Sequence, residues 1–227
     1  MYLWGCVGAD AFGQNAIRTL KKFSVHTDSI GIEQGMRTGT AYICVAEDGV
    51  NCIVVDAGAN ACVSPAYIER NASAFDGADY CVMQLEIPFG SARRTVELCR
   101  KNRTRIVLNP SPFQALPDDL LRGLDFIVPN QTEFERMAGA EMETISDDDM
   151  RCFAAAKGIG NLVITTGGDR CIWATPDSVA RFPATDDKPV DTTGAGDCFL
   201  GAFVEAFQKE CLRTKQSALL PVRPAFP

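Results

Sequence analysis

The sequence has little of what several enzyme classes require. Its 227 residues include a single histidine, His26, in a polar stretch, which argues against histidine-based catalytic triads and against most zinc sites. The ten cysteines form no C-x-x-C pair, and several lie inside apolar runs. We therefore expect free, mostly buried thiols in a reducing compartment, and a cytoplasmic protein.

Positive charge and long apolar runs are also scarce. Lys and Arg number 22 against 29 Asp and Glu, giving a net charge of −7. That balance argues against nucleic-acid and membrane-surface partners held by bulk electrostatics. No run approaches the ~18 apolar residues of a membrane span, and the first residues do not open a signal peptide. An acidic chain can still bind a nucleotide, provided that backbone amides and a metal ion carry its phosphates.

Strand and helix patterns alternate along most of the chain. We predict strands over residues 2–7, 80–85, 105–108, 125–128 and 162–165, and helices over residues 11–23, from 65, 88–101, 130–138 and 146–157. This alternation predicts an α/β fold with a mostly parallel sheet. Two β-rich runs flank Asp48-Gly49 and predict a separate hairpin at about residues 38–57. A second hairpin is predicted over residues 171–182.

Polar residues follow the predicted strands, where each strand ends. They are Glu86, Asn109, Asn130 with Glu133, and the run from Thr165 to Gly168. In open α/β sheets, ligands bind outside the carboxyl ends of the strands. Any one of these residues could be only a cap or a turn, but together they predict one binding crevice.

Residues 191–197, Asp-Thr-Thr-Gly-Ala-Gly-Asp, precede an apolar run in which Phe199, Phe203 and Phe207 recur every fourth residue. That spacing predicts a helix, which we expect to be buried. The first turn of a helix attracts anions, and glycines let an anion approach the backbone. Asp197 at this point would be a poor anion ligand but a good general base for a hydroxyl attacking a phosphoryl group. The alternative is a tight turn in which Asp197 only caps the helix.

The same stretch resembles the C-terminal signature of the PfkB-type carbohydrate kinases, the ribokinase-like family. The segments that carry the resemblance, in order, are VGADAFG at 7–13, TGTA at 38–41, GAN at 58–60, QLEIP at 84–88, LNPSP at 108–112 and PNQTE at 129–133. Together they cover about residues 4–207. The resemblance implies a three-layer α/β sandwich with a small β lid, incomplete at both termini.

The resemblance also implies roles for individual residues in ATP-dependent phosphorylation of the 5-hydroxyl of D-ribose. Asp197 would be the base, and the amides of Gly194, Ala195 and Gly196 would stabilise the transferring phosphoryl group. The sugar would contact Glu86, Ala41, Ile43 and Asp197; the nucleotide would contact Asn130, Thr165, Thr166, Gly167, Gly168, Asp169, Arg170 and Gly196. Asp191 and Thr193 would hold K⁺, and Glu133 would hold Mg²⁺ through water. Cys198 would pack rather than react, and the lid would pair two chains into a homodimer.

Both ends depart from the family pattern. The Gly-Gly-x-x-x-Asn sugar element is absent before Trp4, and residues 208–227 lack the apolar helices that hold adenine and complete the cation site. We therefore expect an α/β domain over residues 1–207, followed by a non-family tail, expected to be disordered, and a chain truncated at both ends. Three hypotheses stay open: a ribokinase-type enzyme, another sugar or nucleoside kinase of the family, and a non-catalytic fragment.

Overall fold

A computed structural model of the protein describes residues 1–45, 51–168, 170–184 and 192–209. The chain divides into two units. The first comprises Met1–Ala78 and Leu85–Thr104, and the second comprises Asp79–Gln84 and the described residues from Arg105 onward. Among the described residues, no helix is long and apolar enough to cross a bilayer.

The first unit contains two small sheets and three α-helices. Its elements are β1 (Cys6–Gly8), α1 (Ala11–Lys22), β2 (Gly31–Glu33), β3 (Thr40–Val45), β4 (Asn51–Asp56), α2 (Pro65–Arg70) and α3 (Phe89–Asn102). Strands β1 and β2 are parallel. The first strand is shorter than predicted, since Tyr2 makes only an isolated bridge with His26. Ser64 caps α2 as predicted, accepting a hydrogen bond from the Tyr67 amide.

The predicted hairpin is present as the antiparallel pair β3 and β4. Its predicted turn at residues 47–49 lies outside the described residues. Large apolar side chains are exposed on both faces: Tyr42 and Val54 on one, and Ile43, Ile53 and Val55 on the other. The hairpin therefore contributes little to the core of the first unit.

Asp10 ties the start of α1 to the segment that leads into the hairpin. One carboxylate oxygen accepts hydrogen bonds from the Gly13 amide at 2.8 Å and the Thr38 hydroxyl at 2.6 Å. The other accepts from the Thr38 amide at 2.8 Å. These donors, led by the Thr38 hydroxyl, lower the pKa of Asp10 from 3.8 to about 2, because they stabilise the ionised form.

Asp10→Asn is expected to lower the melting temperature at neutral pH, because an amide nitrogen would replace an acceptor facing Thr38. A lowered carboxyl pKa gives stability that is present above 3.8 and is lost as the pH falls towards about 2. The difference in melting temperature between the unaltered protein and the variant should therefore shrink across that window, as thermal unfolding at a series of pH values would show. A constant difference would contradict the assignment.

The second unit is built on one six-stranded sheet. Its elements are β5 (Tyr80–Met83), β6 (Arg105–Leu108), α4 (Asp118–Leu121), β7 (Phe126–Ile127), α5 (Gln131–Ala138), α6 (Asp147–Lys157), β8 (Asn161–Thr165), β9 (Arg170–Ala174), β10 (Val179–Pro183) and α7 (Ala195–Gln208). The strand order is β10-β9-β8-β7-β6-β5. Strands β5 to β8 are parallel, and β9 and β10 add an antiparallel hairpin. The predicted mostly parallel sheet is confirmed.

Helix α7 packs against this sheet through its aromatic stripe. Leu200 and Phe203 are buried with Val107, Val163 and Phe126, and the Phe126 and Phe203 rings meet edge to face, 5.3 Å between centroids. Burial of such side chains contributes roughly 1.5–3 kcal/mol each. This contact fixes where the amino end of α7 lies in the second unit.

Two sequence expectations about helix burial are wrong. Helix α7 is not buried all round, because only the face carrying Leu200 and Phe203 meets the sheet, and Cys198 is exposed rather than packed. Phe12 in α1 and Phe23, the residue that follows it, are likewise 69% and 77% exposed. Apolar periodicity identifies a helix but does not say how much of its surface is covered.

Candidate active site

The carboxyl ends of the parallel strands lie side by side at one edge of the six-stranded sheet. The Asn109 amide donates to the Met83 carbonyl at 2.9 Å, and the Thr165 amide donates to the Pro129 carbonyl at 3.0 Å. Asn130 and Thr165 form a parallel bridge. The structure thus brings Asn109, Asn130 and Thr165 to the edge where α/β sheets bind ligands.

Asn109 and Thr166 shape this edge through local turns. The Asn109 side-chain oxygen accepts from the Ser111 amide at 3.0 Å. The Thr166 hydroxyl donates to the Arg170 carbonyl at 2.9 Å and accepts from the Arg170 amide, which closes the turn that contains Gly167 with a φ of 65°. Gly167 and Gly168 are exposed, so their backbone is accessible to a ligand.

Asn130 and Glu133 form a capping box at the start of α5. Asn130 Oδ1 accepts from the Glu133 amide, and Glu133 Oε2 accepts from the Asn130 amide, each at 2.8 Å. Glu133 is only 6% exposed. The cap leaves the Asn130 side-chain NH₂ and one Glu133 oxygen for a ligand, so Glu133 fits a single, water-mediated contact to Mg²⁺ rather than a full coordination sphere. Within the described residues, no three acidic, cysteine or histidine side chains cluster as a metal site.

The first turn of α7 contains backbone amides that have no acceptor within the helix itself. Gly194 has a left-handed φ of 72°, and the first intrahelical bond runs from the Cys198 amide to the Gly194 carbonyl at 2.9 Å. Amides ahead of that bond have no acceptor within the helix. The Ala195 amide donates to the Thr192 carbonyl at 3.1 Å, so the Gly196 and Asp197 amides are better placed than Ala195 to bind an anion.

Gly194→Ala is expected to destabilise the protein by about 1–2 kcal/mol, because the side chain would have to adopt a left-handed conformation. Gly201→Ala, in the middle of the same helix, is the matched control: nothing lies within 4 Å of its added methyl group. That change should stabilise by roughly 0.5–1 kcal/mol. Chemical denaturation of both variants would measure the two effects, and effects of equal sign would contradict the assigned backbone geometry.

Asp197 is held by a residue distant in the chain. Gln84 Nε2 donates to Asp197 Oδ1 at 2.6 Å. Gln84 directly follows β5 at its carboxyl end, and Asp197 lies in the first turn of α7. A carboxylate fixed through one oxygen keeps the other for a second partner. The amino end of α7 therefore lies at the same sheet edge as Asn130 and Thr165.

A family model matches nearly the whole chain. The model of the pfkB family carbohydrate kinases matches residues 1–214. The chain belongs to this family. The resemblance in the sequence motifs is thereby confirmed, and so is the ribokinase-like α/β fold, with a mainly parallel sheet and a small antiparallel sheet.

Two relatives in the family are named for different sugars. A ribokinase of Haemophilus influenzae is 32% identical over 209 residues, which are 90% of this chain and 67% of that protein. A deoxyribokinase of Salmonella typhi is 33% identical over 205 residues, 88% of this chain and 66% of that protein. The chain thus spans about two thirds of the length of these relatives.

A solved family structure confirms the fold. Arabidopsis thaliana ribokinase, complexed with ribose and ATP, is 26% identical and superposes with a TM-score of 0.81, covering 93% of this chain and 72% of that one.

Some of the predicted site residues belong to the first unit, and others lie outside the described residues. Glu86 is exposed and belongs to the first unit, as do Ala41 and Ile43, which are exposed on the same face of the hairpin. Thr193 is exposed at the amino end of α7. Asp169 and Asp191 lie outside the described residues.

Gln84 is the residue whose role the sequence analysis did not predict. It belongs to the QLEIP segment, in which only Glu86 was predicted to be a site residue. No local pattern links it to Asp197, 113 residues away. A polar residue directly after a buried strand is the one sequence signal that could have raised it as a candidate.

Proposed function

We propose that this chain is an ATP-dependent sugar kinase that phosphorylates D-ribose at its 5-hydroxyl. Asp197 takes the hydroxyl proton as the sugar oxygen attacks the γ-phosphorus of ATP. The bond from that phosphorus to the β-phosphate oxygen breaks, and ADP leaves. The products are ribose 5-phosphate, ADP and a proton, which Asp197 returns to solvent.

The observation that carries this proposal is the position of Asp197. Asp197 directly follows Gly196 in the first turn of α7, and its carboxylate accepts a hydrogen bond from Gln84 at the carboxyl edge of the sheet. A base next to an anion-binding backbone is the pairing that hydroxyl phosphorylation needs. Gln84 serves as a positioning residue that orients the carboxylate through Oδ1.

Substrate contacts follow from the family resemblance. Glu86, Ala41 and Ile43 would bind the sugar, with Glu86 accepting hydrogen bonds from its hydroxyls. The turn that follows β8, with its exposed Gly167 and Gly168, and the side-chain NH₂ of Asn130 would bind the nucleotide. The relatives named ribokinase and deoxyribokinase share nearly the same percentage of identical residues with this chain. 2-Deoxyribose is therefore the second candidate substrate.

Two metal ions belong to the proposal. Glu133 would hold Mg²⁺ through water, and when bound, Mg²⁺ neutralises charge on the transferring phosphates. Asp191 and Thr193 would hold K⁺ beside the amides of α7. Removing K⁺ from the assay should lower turnover if that site is real. Residues 1–207 would form the catalytic domain.

A homodimer through the hairpin and a cytoplasmic location complete the proposal. The apolar side chains exposed on both hairpin faces support a protein partner there. None of the nine cysteines of the described residues forms a disulfide, which suits a reducing compartment.

The deciding experiment is ribose-dependent ADP production by the purified chain with saturating ATP, Mg²⁺ and K⁺. Turnover with ribose supports the proposal, and a higher kcat/KM with 2-deoxyribose would instead make the chain a deoxyribokinase. No turnover with any sugar or nucleoside would favour the non-catalytic fragment, since the chain spans about two thirds of its relatives' length.

A further inference from the structure

The hairpin of β3 and β4 places two cysteines directly opposite each other. In the antiparallel register, Cys44 pairs with Cys52. Both are free and exposed. They are separated by only seven residues in sequence, so the pair is formed by local folding of the hairpin.

The spacing of opposed residues in an antiparallel pair suits a disulfide. Their Cα atoms lie about 4.5 or 5.5 Å apart, depending on the type of pair, and their side chains are on the same face. Disulfides need a Cα separation of about 4.4–6.8 Å. The Cα spacing is therefore compatible with a bond, which requires the two Cβ atoms to approach by up to about 1 Å.

The other described cysteines differ in exposure or in placement. Cys6, Cys81, Cys99 and Cys171 are buried, Cys62 is half-buried, and Cys152 and Cys198 are exposed on the separate helices α6 and α7. Burial raises the pKa of Cys6 to about 11 and that of Cys171 to about 12, which makes both poor nucleophiles at neutral pH. Cys44 and Cys52, in contrast, are both exposed to solvent and lie opposite each other.

We propose that Cys44 and Cys52 form a reversible disulfide site on the hairpin, oxidised by a low-molecular-weight disulfide such as glutathione disulfide. One cysteine thiolate attacks the oxidant, forming a mixed disulfide and releasing one glutathione thiolate. The second cysteine then attacks the protein sulfur and displaces the other glutathione. Two protein thiols lose two electrons and two protons, and one glutathione disulfide becomes two glutathione thiols.

The bond would restrain the hairpin without covering its other face. Cys44 and Cys52 share a face with Tyr42 and Val54, whereas Ala41 and Ile43 lie on the opposite face. Oxidation should therefore lock the register of the two strands and slow their local opening. Under the proposed function, this would stiffen the strands that carry two sugar contacts, without blocking them.

The test is to incubate the purified chain in glutathione redox buffers, quench the free thiols and map the bonds by mass spectrometry. Cleavage after Glu47, which lies between the two cysteines in sequence, would leave two peptides joined only by the disulfide. Amide hydrogen exchange should slow several-fold in residues 40–45 and 51–56 on oxidation. Neither readout depends on kinase activity, so failure here is distinct from failure of the proposed function.

Three variants sharpen the result. Cys44→Ser and Cys52→Ser should each stop at a mixed disulfide with glutathione on the remaining cysteine. Cys152→Ser removes an exposed thiol on α6 and should leave the hairpin bond unchanged. A stable mixed disulfide in the unaltered chain, a bond to Cys62, a bond between two chains, or unchanged hydrogen exchange after oxidation would each overturn the proposal.

Discussion

Asp197→Asn is expected to lower kcat by about 10²–10⁴-fold, because an amide cannot accept the proton of the attacking hydroxyl. Asparagine has the same shape and keeps an oxygen for the hydrogen bond from Gln84, which measures 2.6 Å in the unaltered protein. The fold and the KM for sugar should therefore change little. Steady-state ADP release, with sugar and ATP varied separately, would measure the loss.

Asp177→Asn is the matched control for this result. Asp177 is exposed in the turn after β9, and the register of β9 against β8 places Ala174 opposite Leu162, at the amino end of β8. The control therefore removes the same charge at the edge of the sheet opposite to Thr165. Equal losses in the two variants, or full activity in Asp197→Asn, would exclude Asp197 as the base.

Changing Gln84 is expected to have the second largest effect. Gln84→Leu removes the donor to Asp197 and should lower kcat about 10-fold, since partners that orient a functional group are typically worth 10–100-fold. Gln84→Glu puts a second carboxylate against the first, and the repulsion should displace Asp197 and cost about 100-fold, in line with a misplacement of about 1 Å. The sugar KM should change far less than kcat in both variants.

Which of the two variants loses more kcat shows whether Gln84 positions Asp197 electrostatically or only supports the fold. A purely structural role for Gln84 would lower the melting temperature and the activity together, and Glu would then be no worse than Leu. Gln208→Glu, exposed at the far end of α7, controls for the change in charge and should leave kcat unaltered. Glu less harmful than Leu would argue against Gln84 as an electrostatic positioning residue.

These variants test the proposed reaction in a chain that spans about two thirds of the length of its relatives. The family model covers residues 1–214, and the proposed base, the amides of α7 and the proposed nucleotide edge all lie within the second unit. The proposed sugar contacts, Glu86, Ala41 and Ile43, lie in the other unit.

Local chemistry made much of the fold predictable from the sequence. The start of α2 at Ser64, the hairpin strands, the alternation in the second unit and the cap at Asn130 each depend on residues within a few positions of one another. Such patterns act over short distances in the chain. The motif of residues 191–197 likewise predicted a helix with an acidic first turn, and α7 has one.

The sequence by itself determined the family, the order of the elements and the residues that can carry the chemistry. Only the tertiary structure decided that Gln84 binds Asp197 across 113 residues and that one face of α7 is exposed. The physical reason is that element type follows from neighbouring residues, whereas a long-range contact depends on how whole elements pack. Periodicity along one helix or strand contains no information about the surface it will meet.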